Sequence, residues 1–153
     1  MLDAETRDLL GRGCALIVGL VEPDGSPYAT RAWGVEVEAE EPLRLRLLMD
    51  RHDRRGLDAL VEGAAVAITA ADVRTLSSVQ FKGRSEGPAP GRLGDEARAR
   101  RYVDDFFTDI AETDGTPRAT LDRLVPEGLV PVVVGIEARF DQTPGPSAGR
   151  AVR

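Results

Sequence analysis

The sequence contains only one cysteine, Cys14, and one histidine, His52, in 153 residues. One cysteine excludes an intramolecular disulfide and a cysteine-rich metal site, and this usage suits a reducing cytoplasm, where we expect the protein to reside. Cys14 lies in an apolar run and is a poor candidate for a nucleophile. No Ser-His-Asp, Cys-His or metal-ligand arrangement is recognisable, so no metal site is predicted.

Long apolar runs and basic stretches are also missing. No apolar run approaches the roughly 18 residues of a membrane-spanning helix, and the N-terminus lacks the charged and apolar regions of an export signal. The net charge is −6, and no basic stretch contains interleaved aromatic residues. We therefore expect neither nucleic acid nor a membrane as a partner. A small anionic ligand would need a local positive patch.

The chain does have enough apolar material for one core. Hydrophobic residues make up 42% of the sequence and charged residues 30%. This composition predicts a single folded domain over residues 1–153.

Several short segments have the pattern of strands, and tight turns rather than alternating helices join most of them. Asp3, Asp53 and Thr116 are suitable N-caps for short helices, and a long helix is expected over residues 95–112. This order predicts a mainly β (α+β) fold, a six-stranded antiparallel barrel with peripheral helices. The predicted strands are residues 14–21, 28–38, 43–49, 64–69, 73–86 and 131–140.

Two of these elements carry expectations about packing. The first strand is almost wholly apolar, so we expect both of its faces to be covered. The long helix has an apolar stripe at helical spacing, which is typical of a packed core or an interface. The stripe consists of Ala99, Tyr102, Val103, Phe106, Phe107 and Ile110.

The fifth predicted strand has one packed face and one polar face. Val79 and Phe81 alternate with Ser78, Gln80 and Lys82. A hydroxyl, a carboxamide and an ammonium group at every second residue can converge on one polar ligand. An ordinary amphipathic strand that exposes its polar side to water gives the same pattern.

A second candidate site is the short helix capped by Asp53. Arg54 and Arg55 lie in its first turn, where the helix dipole disfavours cations and a bound anion would remove the conflict. Guanidinium groups beside free backbone N–H groups suit a phosphate, with Arg31 or Arg51 assisting. A solvated cluster in which Asp50 and Asp53 neutralise the arginines explains the residues equally well. His52 is more typical of a loop residue than of a base.

The order of these elements and their motifs resembles the pyridoxamine 5′-phosphate oxidase-like, FMN-binding split β-barrel family. The motifs are the Asp24-Gly25 turn, Arg31 in the second strand, the basic short helix and the segment V-Q-F-K-G over residues 79–83. The ending F-D-Q-T-P-G-P over residues 140–146 resembles a subgroup of small members, most of them functionally unassigned. The resemblance covers nearly the whole chain.

The resemblance implies an FMN phosphate held by basic and hydroxyl residues, and a flavin ring at the interface of a homodimer. The implied cofactor-binding residues are Arg31, Trp33, Arg51, Arg54, Arg55, Ser78, Gln80 and Lys82. The family usually has an S-R-K form at the start of the short helix, where this chain has Arg54-Arg55-Gly56. Either an arginine replaces the lysine as phosphate ligand, or the chain binds flavin weakly, binds a different cofactor such as deazaflavin, or binds none.

Two functional classes follow from the resemblance. One is an FMN-dependent oxidoreductase of unknown substrate, which is not a true pyridoxamine 5′-phosphate oxidase because the C-terminal tryptophan and arginine elements are missing. The other is a non-catalytic protein that binds or stores flavin, deazaflavin or haem. Apolar surface on the first strand, Trp33 and the long helix exceeds what one small core needs, which also favours a two-fold homodimer.

Overall fold

The structure is a computed structural model and describes residues 1–152. Six antiparallel strands close a barrel in the order β1-β2-β3-β6-β5-β4, with β4 returning to β1, so the predicted mainly β fold is confirmed. A two-residue strand, β7, pairs with the end of β6 outside the barrel. The strands are β1 Ala15–Val21, β2 Pro27–Glu40, β3 Leu43–Asp50, β4 Ala65–Ala71, β5 Ser78–Pro88, β6 Leu129–Asp141 and β7 Ala151–Val152.

The helices lie at the ends and on one flank of the barrel. Within residues 1–152, no helix is both long enough and apolar enough to cross a membrane. The helices are α1 Ala4–Gly11, α2 Arg54–Ala59, α3 Asp95–Asp114 and α4 Arg118–Leu121, and a 3₁₀ turn, Asp122–Leu124, follows α4.

Strand alternation builds the core. Leu16, Val18 and Leu20 of β1 point into the barrel and are at most 5% exposed. Val79 and Phe81 of β5 point the same way, as the sequence pattern predicts, while Gln80 and Lys82 point outward. The barrel interior is therefore filled by side chains.

The apolar stripe of α3 packs against the outer side of β2 and the segment just before β1. The Trp33 and Phe107 rings meet edge to face, with centroids 6.3 Å apart. The Tyr102 hydroxyl donates a hydrogen bond to the backbone oxygen of Cys14. A Cβ at Gly13 would lie 2.3 Å from the backbone nitrogen of Phe106, so only glycine permits this approach. The stripe is confirmed as a packing surface, with Ile110 at its half-buried end.

A buried ion pair fixes the start of α3 to the barrel. Arg46 points outward from β3 and is 1% exposed. Its two terminal nitrogens donate to the two carboxylate oxygens of Asp95 at 2.8 and 3.0 Å, and one of them also donates to the Pro90 oxygen at 2.7 Å. This bidentate geometry aligns the loop before α3 as well as the helix itself.

Strands β5 and β6 come very close at one point. Their register shifts between Lys82 and Gly83, and a Cβ at Gly83 would lie 1.9 Å from the backbone oxygen of Gly135. The barrel closes there only because residue 83 has no side chain.

Three local predictions are wrong. The fifth strand begins at Ser78 instead of residue 73, because the Asp72 carboxylate accepts hydrogen bonds from the backbone N–H groups of Arg74 and Thr75 and makes a turn. Strand β1 is covered on one face only, since Ile17 is 40% and Val21 54% exposed. The N-cap residue of α4 is Pro117 instead of Thr116.

Candidate functional site

The outward side of β1, β4 and β5, with the adjoining part of β2, is a continuous surface whose centre, at Ile17, is 40% exposed; we call it the strand face. Its central row crosses the barrel wall through cross-strand pairs, in which Ile17 pairs with Arg31 and Thr69, and Thr69 pairs with Gln80. Directly paired residues in antiparallel strands share a face, so Arg31 and Gln80 lie on the same surface. Three strand spacings of about 4.8 Å separate them by roughly 14 Å, which is the scale of a flavin-sized ligand.

A second row of small residues makes the strand face concave. Gly19 pairs with Ala29 and Ala67, and Ala67 pairs with Lys82. A groove of about 590 Å³ runs along this row, with Lys82 at one side. The Lys82 ammonium lies 4.8 Å from the centre of the Phe140 ring, which places a cation above an apolar floor.

Two of the polar residues predicted on β5 form hydrogen bonds with neighbouring segments of the fold. The Ser78 backbone N–H donates to Thr143 Oγ1 at 3.0 Å, and Gln80 Nε2 donates to Thr69 Oγ1 at 3.1 Å. The amide oxygen of Gln80 has no hydrogen-bond partner among residues 1–152. Gln80 is thus oriented by Thr69 and keeps an acceptor for a ligand.

Arg31 lies where the strand face meets α3. Its guanidinium carbon is 5.6 Å from the Trp33 ring centre and 5.5 Å from the Phe106 ring centre. Trp33 itself is 5% exposed, so it supports Arg31 and the helix more than it offers a stacking surface. Long-range aromatic contacts of this kind have no signal in the local sequence.

Asp53 is confirmed as the N-cap of α2, but the two arginines that follow it, Arg54 and Arg55, differ in their contacts. Asp53 Oδ1 accepts hydrogen bonds from the Gly56 N–H and the Tyr28 hydroxyl, both at 2.9 Å. Arg55 stacks on the Tyr28 ring at 4.4 Å and donates two hydrogen bonds, at 2.9 and 2.6 Å, to Glu22. These hydrogen bonds lower the pKa of the Glu22 carboxyl. Arg55 is therefore neutralised by Glu22.

Four of the five predicted cationic ligands have no carboxylate within ion-pair distance in the described part of the chain. The surrounding protein is rich in ion pairs and carries net charge −6, so these charges are available to an anion. The four are Arg31, Arg51, Arg54 and Lys82.

The structure brings these residues to two places. Helix α2 packs against β1 and β2, so the helix that begins with Arg54 lies beside the strand face. Arg51 follows β3, and its backbone N–H donates to the Gly128 oxygen at 2.9 Å. With Trp33, Arg51 lines a different cavity, of about 1000 Å³, between α3, α4 and the segment before β6. We call this the helix-side cavity.

Other reactive groups offer no competing site. Burial raises the pKa of the Cys14 thiol to about 12, so the group is not a thiolate near neutral pH. His52 is exposed in the turn before α2, and its backbone N–H donates to Asp50. Residues 1–152 contain no cluster of three or more metal-ligand side chains.

Sequence reasoning missed the neighbours that complete the strand face, namely Ile17, Ala29, Thr69 and Phe140. They reach Gln80 and Lys82 only through cross-strand pairing. The sequence carries no signal for Ile17 and Val21, because β1 is almost wholly apolar and only its burial in the structure alternates.

Comparison with models of protein families gives no match, and neither does comparison with curated proteins. Solved structures do match. HupZ from Group A Streptococcus aligns with 97% of this chain and 100% of its own, at 16% identity and a TM-score of 0.62. An F420 reductase aligns with 87% of this chain and 94% of its own, at 19% identity and a TM-score of 0.51.

Two further structures complete the comparison. HutZ, the heme storage protein from Vibrio cholerae, aligns with 92% of this chain and 94% of its own, at 15% identity and a TM-score of 0.51. A protein of the pyridoxinephosphate oxidase family from Clostridium acetobutylicum aligns with 90% and 84%, at 13% identity and a TM-score of 0.50. The chain therefore has the split β-barrel fold of pyridoxamine 5′-phosphate oxidase-like proteins.

Proposed function

We propose that the protein binds FMN at a homodimer interface formed by the strand face and acts as a flavin-dependent oxidoreductase of unknown substrate. The observation that carries this proposal is the strand face itself. It joins exposed apolar residues, a groove, an oriented carboxamide and cations without acidic partners on one surface.

The exposed apolar part of the strand face supports the dimer. Ile17 and Val21 are 40% and 54% exposed on a strand whose other side is fully buried. Ala29 and Ala67 extend this apolar area across the neighbouring strands. A second copy placed on this surface would bury it and would enclose a ligand lying in the groove.

The residues present fit an FMN molecule. The groove and Phe140 offer apolar contact for a ring, and Gln80 and Lys82 offer polar contacts beside it. Arg54, with Arg31, is the best candidate for the phosphate, because Arg55 is already paired with Glu22. A bound flavin would supply the redox chemistry, while these side chains would bind and orient it and the dimer would exclude water.

The visible spectrum of freshly purified protein tests the cofactor first. Titrations with FMN and riboflavin then test the phosphate contact, since the two ligands share the ring. We expect Arg54→Ala to weaken FMN binding about ten- to a hundredfold, as loss of one charge-assisted contact does, and to leave riboflavin unchanged. Arg55→Ala is the matched control and should leave both affinities nearly unchanged. Equal losses for both ligands in Arg54→Ala would refute the phosphate assignment.

Non-catalytic binding of flavin, deazaflavin or haem is the second candidate. The fold shared with the heme storage protein HutZ favours storage, and the fold shared with an F420 reductase favours deazaflavin as an alternative cofactor. Haem would take His52 as the available imidazole ligand, since it is exposed and is the only histidine. The three cofactors differ in colour, and loss of a haem spectrum in His52→Ala would identify that ligand. A flavin spectrum unaffected by His52→Ala would reject the haem alternative.

A further inference from the structure

The helix-side cavity is not used by the cofactor proposal. It lies on the flank of the barrel that α3 covers, and its volume of about 1000 Å³ falls at the upper end of the range for small-molecule sites. Its floor is apolar and consists of Trp33, Ala99 and Val103, each less than 10% exposed. This floor would accommodate a flat apolar body.

Most of the charged side chains that line the cavity already have an ion-pair partner within the protein. Arg118 binds Asp104 at 2.7 Å and Asp122 at 2.6 Å. Arg92 binds Glu38 at 2.6 Å, and Asp95 is held by Arg46. These groups are compensated within the protein and do not call for a charged ligand.

Arg51 is the exception among the cavity's arginines, because it has no ion-pair partner in the described residues. Its guanidinium lies flat against Gly128, where a Cβ would be 2.7 Å from three of its atoms. Glycine at position 128 therefore allows the guanidinium to lie at the rim of the cavity. One guanidinium without an ion-pair partner is suited to one carboxylate or sulfonate group.

The overall charge of the lining limits the ligand further. Five acidic residues, Asp95, Glu96, Asp104, Asp122 and Glu127, accompany four arginines, Arg51, Arg92, Arg100 and Arg118. Because the other arginines of the lining are paired, a ligand with several negative charges, such as a nucleotide, would find a free cation for only one of them. A molecule with a single anionic group placed at Arg51 would be matched.

We propose that the helix-side cavity is a second ligand site, which binds a small monoanionic molecule with a flat apolar body and anchors its anionic group on Arg51. The site is separate from the proposed FMN site, because it uses neither Arg54 nor the strand face. The two proposals can therefore fail independently.

Two dyes with the same rings test the proposal on the purified full-length protein. 8-Anilinonaphthalene-1-sulfonate carries one sulfonate, and N-phenyl-1-naphthylamine lacks it. We expect the sulfonate dye to bind about tenfold more tightly than the neutral dye, as one charge-assisted contact allows. Arg51→Gln should remove that difference by weakening the sulfonate dye alone. Arg101→Gln, an equal loss of charge on an exposed part of α3 outside the cavity, is the control and should preserve it.

Two more variants locate the dye. Ala99→Phe places a ring in the cavity and should abolish binding of both dyes, whereas Ile17→Glu alters only the strand face and should not affect them. Equal affinity of the two dyes for the wild-type protein would overturn the proposal. So would dye binding that survives Ala99→Phe or that disappears in Ile17→Glu, because either result places the dye elsewhere. FMN titration of the same variants shows independently whether the cofactor proposal stands.

Discussion

The two flanks of the barrel differ in how their outward side chains are covered. On the helix-covered flank, α3 and the loop before it bury the outer side of β2 and β3. They do so with an aromatic cluster and with ion pairs between Arg46 and Asp95, Arg92 and Glu38, and Arg98 and Glu36. The strand face combines small and aliphatic residues with polar side chains such as Gln80 and Lys82, and has one loose ion pair, Arg84 with Glu137 at 3.7 Å. The helix-covered flank is buried by another part of the same chain, whereas the strand face is left exposed.

This contrast separates a surface that stabilises the fold from a surface that is free to bind another molecule. A flank covered by its own helix is specified by directional contacts, which hold one arrangement of helix and sheet. A flank left apolar has few such contacts and gains most by burial against another surface. We therefore expect substitutions on the helix-covered flank to change folding stability, and substitutions on the strand face to change assembly and ligand binding.

Asp95→Ala gives the largest expected effect. It would leave the buried Arg46 guanidinium without its carboxylate, and removal of one partner of a buried pair costs about 3–5 kcal/mol. Urea denaturation measures the loss. Glu96→Ala, which removes only the exposed partner of Arg100 on the same helix, should change stability by less than about 0.5 kcal/mol. Similar losses of stability in both variants would contradict the conclusion that the Arg46–Asp95 ion pair fixes α3 to the barrel.

Ile17→Glu should separate the proposed dimer without unfolding the protomer. A carboxylate at this exposed position is solvated in the monomer but would be buried unpaired in the dimer, so we expect dimer affinity to fall at least about a hundredfold. Light scattering across a concentration series measures the change. Val61→Glu, at an exposed apolar residue outside the strand face, is the control. A wild-type protein that is monomeric at micromolar concentration would refute the dimer.

Lys82→Met tests the ligand contacts of the strand face. Lys82 is exposed and has no ion pair among the described residues, so the fold should be unaffected. We expect FMN affinity to fall about ten- to a hundredfold from loss of one charge-assisted contact. Arg84→Met lies one outward position further along β5 and should have a smaller effect, since Arg84 faces Glu137. If both substitutions have the same effect, the loss reflects general charge and not a specific contact.

The smallest expected effect is on the pH dependence of stability. Hydrogen bonds from Arg92 lower the pKa of Glu38 below its ordinary 4.5, so this group binds a proton less readily in the folded protein than in the unfolded chain. Its stabilising contribution is therefore present above pH 4.5 and is lost as the pH falls through the lowered value. Denaturation at several acidic pH values measures the free energy of unfolding. In Glu38→Gln this free energy should depend less on pH than it does in the wild-type protein. An unchanged dependence would show that other carboxyl groups dominate.

The fold was largely predictable because its signals are local. Alternation at Val79, Gln80, Phe81 and Lys82 identified the two faces of β5, and helical spacing identified the buried stripe of α3. The start of β5 was missed because Asp72 makes a turn with a side-chain hydrogen bond, and the neighbouring residue pattern does not reveal it.

The candidate site was less predictable because its properties depend on distant residues. Arg54 and Arg55 are equivalent in the sequence, yet only Arg55 meets Glu22, 33 positions earlier in the chain. Arg31 was proposed as a phosphate ligand, but its position beside Phe106 depends on how α3 packs. Local patterns identified the kinds of residue, and tertiary contacts decided which of them keep a free charge.

The contact between Gly83 and Gly135 has a consequence for how freely this sequence can vary. Residue 83 lies between Lys82 and Arg84, which are both exposed and could be replaced by many residues. A methyl group at position 83 would instead meet the Gly135 backbone and force β5 away from β6 at the point where the barrel closes. Permissive and prohibitive positions are therefore adjacent on one strand, and any search for variants of the strand face must hold residue 83 fixed while its neighbours change.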